Sequence, residues 1–169
     1  MKRFRPLCLL FAALILLTAG CAGYQRGSTV PEAYRSIHVA AFENQTLFPM
    51  AGATATQQLL DALIEDGTFR PDSYDSSRLR VQAIITSLGS NATRYHTNDR
   101  VRPEEYRMTL RCTLYVYDAA NGQTLIAGKQ LTATDGFITN DDYQTGLQKA
   151  IPRASRKLAQ EILRELQTL

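Results

Sequence analysis

From Glu105 to Tyr117 the chain alternates without a break. Tyr106, Met108, Leu110, Cys112, Leu114 and Val116 fall on one side, and Arg107, Thr109, Arg111, Thr113, Tyr115 and Tyr117 on the other. A period of two over this length marks a β-strand with one dry face and one wet face, so whatever else folds must cover the dry side and leave the other open. Asn121-Gly122, inside the turn from Asp118 to Gln123, is a strong hairpin signal, and Thr124 to Thr134 is expected to return as the antiparallel partner.

Two further strands and two helices fit around this pair. Ile37, Val39 and Ala41 alternate with Ser36, His38 and Ala40 as a first strand ending in Phe42-Glu43-Asn44-Gln45-Thr46. Leu79, Val81, Ala83 and Ile85 alternate as a second strand that is expected to run on through Tyr95. Between them, Gly52 to Asp66 places Ala55, Leu59, Ala62 and Leu63 at helical spacing, with Leu60 and Ile64 widening the stripe and Gly67 closing it as a left-handed cap. Near the end of the chain, Asp141 or Asp142 caps a helix with Leu147, Ile151, Ala154, Leu158, Ile162 and Leu166 on one face. Proline inside a helix costs about 3 kcal/mol but is tolerated at its first position, so Pro152 predicts a kink or restart near Ala150. The order β-α-β-β-β-α predicts an α+β fold: a single four-stranded, mostly antiparallel or mixed sheet with two helices packed on one face.

The amino terminus carries a different signal. Lys2, Arg3 and Arg5 precede an apolar run from Leu7 to Ala19, which as a helix reaches roughly 20 Å at about 1.5 Å per residue, short of the roughly 30 Å of membrane hydrocarbon. Leu17-Thr18-Ala19-Gly20-Cys21 then has the look of a bacterial lipoprotein cleavage site. Residues 1–20 are expected to be a signal peptide, 21–35 a lipidated amino terminus and tether, and 36–169 one domain. Lipid on Cys21 would anchor the protein to a membrane for good, because several acyl chains exceed what reversible attachment needs. Ala22, where an Asp would resemble an inner-membrane retention signal, implies by resemblance the outer membrane and a periplasm-facing domain.

Charge and chemistry narrow the function. Lys2, Arg3 and Arg5 account for the whole formal charge of +3, so the remainder is balanced and a nucleic-acid binder is disfavoured. Cys8 leaves with the signal and Cys21 is consumed by lipid; Cys112, in phase with Leu110 and Leu114, reads as a small buried hydrophobe. No nucleophile with its base, phosphate loop or metal-ligand spacing is present, so no enzyme, cofactor or metal is predicted. His38 and His96 read as surface or turn residues, and the acidic residues Asp135, Asp141 and Asp142 as helix-capping groups in place of a calcium loop.

Basic and aromatic residues do gather in one stretch. Arg94, Tyr95, His96, Arg100 and Arg102 fall across the expected loop between the second and third strands, Arg107 and Arg111 continue on the wet face, and Lys129 is expected opposite them on the fourth strand. Guanidinium groups bind phosphate bidentately, which makes the group a candidate site for an anionic amphiphile, set against the plainer reading of a solvated face balanced by Asp99, Glu104, Glu105 and Asp118.

Taken together, Cys21-Ala22-Gly23-Tyr24, the strand Ile37 to Thr46, the helix after Pro49, the Tyr106 to Tyr117 strand with its Asp118 to Gly122 turn, and the closing helix resemble the LPS-assembly lipoprotein LptE family. The resemblance implies a protein that plugs an LptD-like outer-membrane β-barrel, helps it assemble, and handles lipopolysaccharide on its way to the outer leaflet. Lipid A phosphates would then be the ligand of Arg94, Arg100, Arg102, Arg107, Arg111 and Lys129. A lipoprotein activator or scaffold of another envelope machine, such as a cell-wall synthase or a secretion channel, shares the anchor and the first strand and is the alternative.

Overall fold

Met108, Leu110, Leu114 and Val116 are completely excluded from solvent, and the helices that cover them lie on that side of the sheet. The computed structural model describes residues 30–97, 99–139 and 142–169, and of residues 99, 100 and 102 the backbone alone. The expected signal segment, Cys21, most of its tether, and Asp141 lie outside the described residues. In chain order a 3-10 turn (Glu32–Tyr34) precedes β1 (Ser36–Val39), β2 (Glu43–Asn44), α1 (Met50–Asp66), β3 (Arg70–Pro71), β4 (Leu79–His96), β5 (Asp99–Asp118), β6 (Thr124–Ile138) and α2 (Tyr143–Leu166).

The sheet runs β3-β1-β4-β5-β6, with β2 also paired to β4. β1 is parallel to β3 and β4, β2 is parallel to β4, and β4, β5 and β6 form an antiparallel meander. The α+β class is as expected, but the sheet has six strands instead of four. The two additional strands are two residues long and carry no periodicity. Arg70 and Pro71 become strand only because Ser36 and Ile37 lie beside them, and Glu43 and Asn44 only because Ile84 and Ile85 do. The expected first strand is split because the Phe42 N–H is taken by the Thr56 hydroxyl of α1 at 2.9 Å, and the Phe42 ring turns into the core.

β4 contains a further departure. Two residues, Thr86 and Ser87, stand against Arg111 alone, a β-bulge that reverses the phase of the strand from Ser87 to Ala92, until a second irregularity between Ala92 and Arg94 returns Arg94 to the open face. Leu79, Val81, Ala83 and Ile85 face the helices before the bulge; Leu88, opposite Leu110, packs on the same core after it. A strict alternation would have sent Leu88 to the wet side.

Both helices share one core with the sheet. Leu59 and Leu63 of α1 and Leu147, Leu158, Ile162 and Leu166 of α2 are fully buried, each worth about 1.5–3 kcal/mol of transfer free energy. Gly67, at φ 72°, closes α1 in the left-handed conformation that glycine adopts freely. Ile64, expected to widen the α1 stripe, is instead 67% exposed. Asp142 caps α2 by accepting from the Gln144 and Thr145 N–H groups. α2 continues through Pro152 with no restart near Ala150. Gln148, whose carbonyl loses its helical donor to Pro152, lies on the exposed side of α2, where the loss of one backbone bond is least costly.

Candidate functional site

Among the described residues no helix packs on the wet side of β5, and this open face is where the arginines are found. Arg107 stands between Asn91 on β4 and Gly136 on β6, and Arg111 between Ser87 and Thr132. Their small neighbours leave both guanidinium groups uncrowded, about 14 Å apart along the strand at ~3.4 Å per residue. Neither makes an ion pair among the described residues. Arg94 joins the same face opposite Glu105, and its Nε lies 3.4 Å from Glu104 and 3.7 Å from Glu105, so its charge is already partly matched.

The stretch expected as a loop is strand. Arg94, Tyr95 and His96 belong to β4, Arg100 and Arg102 to the β5 backbone, and the pairings Tyr95 with Pro103 and His96 with Asp99 carry a two-stranded ribbon past Ile138, the last residue of β6. Backbone donors satisfied across a ribbon hold the basic residues on a firmer support than a loop would. Tyr95 is half exposed at this end.

Lys129 does not belong to the group. It sits opposite Leu114 on the helix side of the sheet, and its Nζ is bonded to Glu165 of α2. The phase of Leu131 and Ala133, both buried, already places Lys129 there. Asp135 likewise faces α2, held by Arg153 and Lys157, and so is an ion-pair partner and not a helix cap.

At the other end of the open face a groove of about 390 Å³ is lined by Tyr74, Arg80, Gln82, Tyr117 and Asp118. The Arg80 guanidinium carbon lies 3.7 Å from the Tyr74 ring centroid, Nη1 donates to the Tyr74 hydroxyl at 2.8 Å, and His38 meets that ring edge-on at 5.5 Å. His38 Nδ1 is 3.2 Å from the Asp72 carbonyl oxygen, which makes it a satisfied surface histidine. Tyr74 and Arg80 were not anticipated as a pair. Arg80 is visible in the polar phase of β4, but Tyr74 reaches it only by the path of the turn after β3.

Asn44 and Thr46 explain the Phe-x-Asn-x-Thr stretch. Asn44 Oδ1 accepts from the Thr46 N–H at 3.0 Å and its hydroxyl at 2.8 Å, while Asn44 Nδ2 donates to the Phe48 carbonyl at 2.8 Å. These bonds build the turn that carries the chain from β2 into α1. Cys112 is buried on the dry side of β5, and burial pushes its thiol up to about 12 against a small opposing effect of a hydrogen bond with the Leu131 backbone. A thiol held this far from ionisation is no nucleophile. No group of three or more metal-binding side chains gathers among the described residues.

The family model described as LptE, lipopolysaccharide assembly, matches residues 34–166. No curated protein matches the chain at a significant level. Among solved structures, lipoprotein B from Nitrosomonas europaea aligns with a TM-score of 0.55 at 14% identity over 85% of this chain and 88% of its own. A lipoprotein from Caulobacter crescentus aligns at 0.52 with 21% identity over 78% and 88%, and rare lipoprotein B from Shewanella oneidensis at 0.50 with 10% identity over 78% and 94%. At these identities the likeness is one of fold.

Proposed function

Because the chain belongs to the LptE lipopolysaccharide-assembly family, we propose that it is an outer-membrane lipoprotein that plugs an LptD-like β-barrel, assists its assembly and takes part in delivering lipopolysaccharide to the outer leaflet. The family is one of non-enzymatic lipoprotein scaffolds, so its work is binding and positioning. The observation that carries the reading is the open face of the sheet: a polar surface spanning β4, β5 and β6, with no helix on it among the described residues and with Arg94, Arg107 and Arg111 directed outward.

A polar sheet face suits the water-lined lumen of a large barrel, where an apolar one would have to dehydrate side chains that face water. Phosphate groups of lipid A suit Arg107 and Arg111, which among the described residues have no carboxylate to give up on binding, better than Arg94, which has Glu104 and Glu105. Acyl chains on Cys21 would hold the domain at the outer membrane at high effective concentration beside its partner.

Three measurements test this. Purification of the full chain from outer membranes should bring down a large β-barrel; recovery of a cell-wall synthase or a secretion channel in its place would favour the alternative. Incorporation of a fatty-acid analogue should be lost in Cys21→Ala, and equal labelling would remove the anchor. Replacement of Arg94, Arg107 and Arg111 by Glu should weaken lipopolysaccharide binding while the fold is retained; unchanged binding would clear the open face.

A further inference from the structure

β6 is the outer strand of the sheet, and among the described residues no strand pairs with its far side. The Thr139 N–H donates across to the Glu104 carbonyl at 2.9 Å, so odd-numbered residues at this end of β6 turn their backbone groups toward β5, and Thr132, Thr134, Gly136 and Ile138 turn theirs outward. Nothing in Thr124–Ile138 is a proline. A run of outward N–H and C=O groups is a template for any strand that can reach it.

Two of the outward carbonyls are occupied by side chains from α2. Lys157 Nζ donates to the Thr134 carbonyl at 3.0 Å, and Arg153 Nη2 to the Gly136 carbonyl at 3.0 Å. Asp135, between them in sequence and on the helix side of β6, holds both cations: Arg153 Nε at 2.7 Å on one carboxylate oxygen and Lys157 Nζ at 2.7 Å on the other. A strand adding to this edge would need both carbonyls, and would have to displace both side chains from an ion-paired arrangement.

We infer that Arg153 and Lys157 guard the outer edge of β6 against antiparallel pairing with β6 of a second copy of this chain. The occupant kept away is a second copy because a strand meeting its own two-fold image supplies matching donors and acceptors without any other partner. The side chains that flank such a junction on the open face, Thr132, Thr134 and Gly136, are small enough for two sheets to join edge to edge.

The test uses the full chain in detergent. Arg153→Gln with Lys157→Gln should make it dimerise in a concentration-dependent way by light scattering, with a dimer constant tighter by about tenfold for each carbonyl released, the size of one net hydrogen bond. The amides of Thr132, Thr134, Gly136 and Ile138 should exchange more slowly in the dimer. Adding Thr134→Pro, which removes an outward donor at an edge where proline is tolerated, should return the double variant to the mass of the parent chain. A folded double variant that stays monomeric, or a dimer that persists with Thr134→Pro, overturns the inference. If the double variant does not fold by circular dichroism, the two single variants carry the same readout, and monomers in both would equally sink it.

Discussion

Arg78 grips Asp118 with two nitrogens: Nε lies 2.6 Å from Oδ1 and Nη2 donates to Oδ2 at 2.8 Å, joining the residue before β4 to the last residue of β5. The Asp118 side chain is shut off from solvent, and Oδ1 also accepts from the Ala120 N–H at 3.0 Å. One carboxylate therefore ties down the β4 start and the turn toward β6.

Acid should loosen this tie. Burial alone would raise the Asp118 carboxyl, but the Ala120 N–H, the Arg78 guanidinium and the Tyr34 hydroxyl outweigh it and hold it below the usual carboxylate range. Asp135 is lowered too, burial being overcome by Lys157 and Arg153, and Asp142 is lowered by the Thr145 hydroxyl and the Gln144 and Thr145 N–H groups. A depressed folded value means a contribution that is complete above the unfolded value near 4 and is lost as pH falls through the folded one. Urea unfolding should show stability nearly level down to about pH 5 and declining below about pH 4. Asp118→Asn should be less stable at neutral pH with a shallower acid decline; a decline of the same steepness would take Asp118 out of the account.

Gly52→Ala should destabilise the fold although alanine is the better helix former. A Cβ at residue 52 would meet the Phe42 carbonyl oxygen at 2.7 Å and Asn44 Cβ at 3.2 Å, so α1 would have to back away from the β1–β2 connection. The propensity gain is about 1 kcal/mol, and overpacking against backbone costs about 1–3 kcal/mol, which leaves a net loss of up to ~2 kcal/mol in a denaturant midpoint measurement. An increase in the midpoint would show that α1 shifts freely.

Cys112 should resist thiol reagents at pH 8 for as long as the domain stays folded. With a thiol pushed up to about 12 and buried on the dry side of β5, modification has to wait for opening, and its rate should follow denaturant concentration in step with unfolding. Rapid labelling of the native protein would mean that the helices do not seal this side of the sheet.

Lys129 and Arg107 should part company on substitution. Lys129→Ala removes an exposed pair with Glu165 and should cost no more than about 1 kcal/mol, leaving lipopolysaccharide binding unaltered. Arg107→Ala should leave the thermal midpoint in place and weaken lipopolysaccharide binding. Equal binding losses in the two variants would contradict the separation of the two faces.

Met108 to Val116 could be read as strand from sequence alone because their alternation reports an environment, wet on one side and dry on the other, that every residue in the run experiences locally. The α2 stripe and an aspartate cap at 141 or 142 were legible for the same reason: each is a relation among residues a few positions apart. The chain alone thus determined the class of fold, the central strand and its antiparallel partner β6, the helices, and the side of β5 on which Arg107 and Arg111 stand. It also carried, in the phase of Leu131 and Ala133, the orientation of Lys129.

Other features were decided only by contacts across the fold. Arg70–Pro71 and Glu43–Asn44 are strands by virtue of neighbours far along the chain. The extra residue at Thr86 is a bulge because Arg111 stands opposite, and Arg94 to His96 and Asp99 to Pro103 are strand because the two stretches find each other. Whether the free edge of β6 meets solvent or the cations of α2 depends on where the last helix comes to rest. Periodicity records how a segment meets water, whereas pairing and register are set by the backbone groups and packed surfaces of distant segments, which no single stretch of sequence contains.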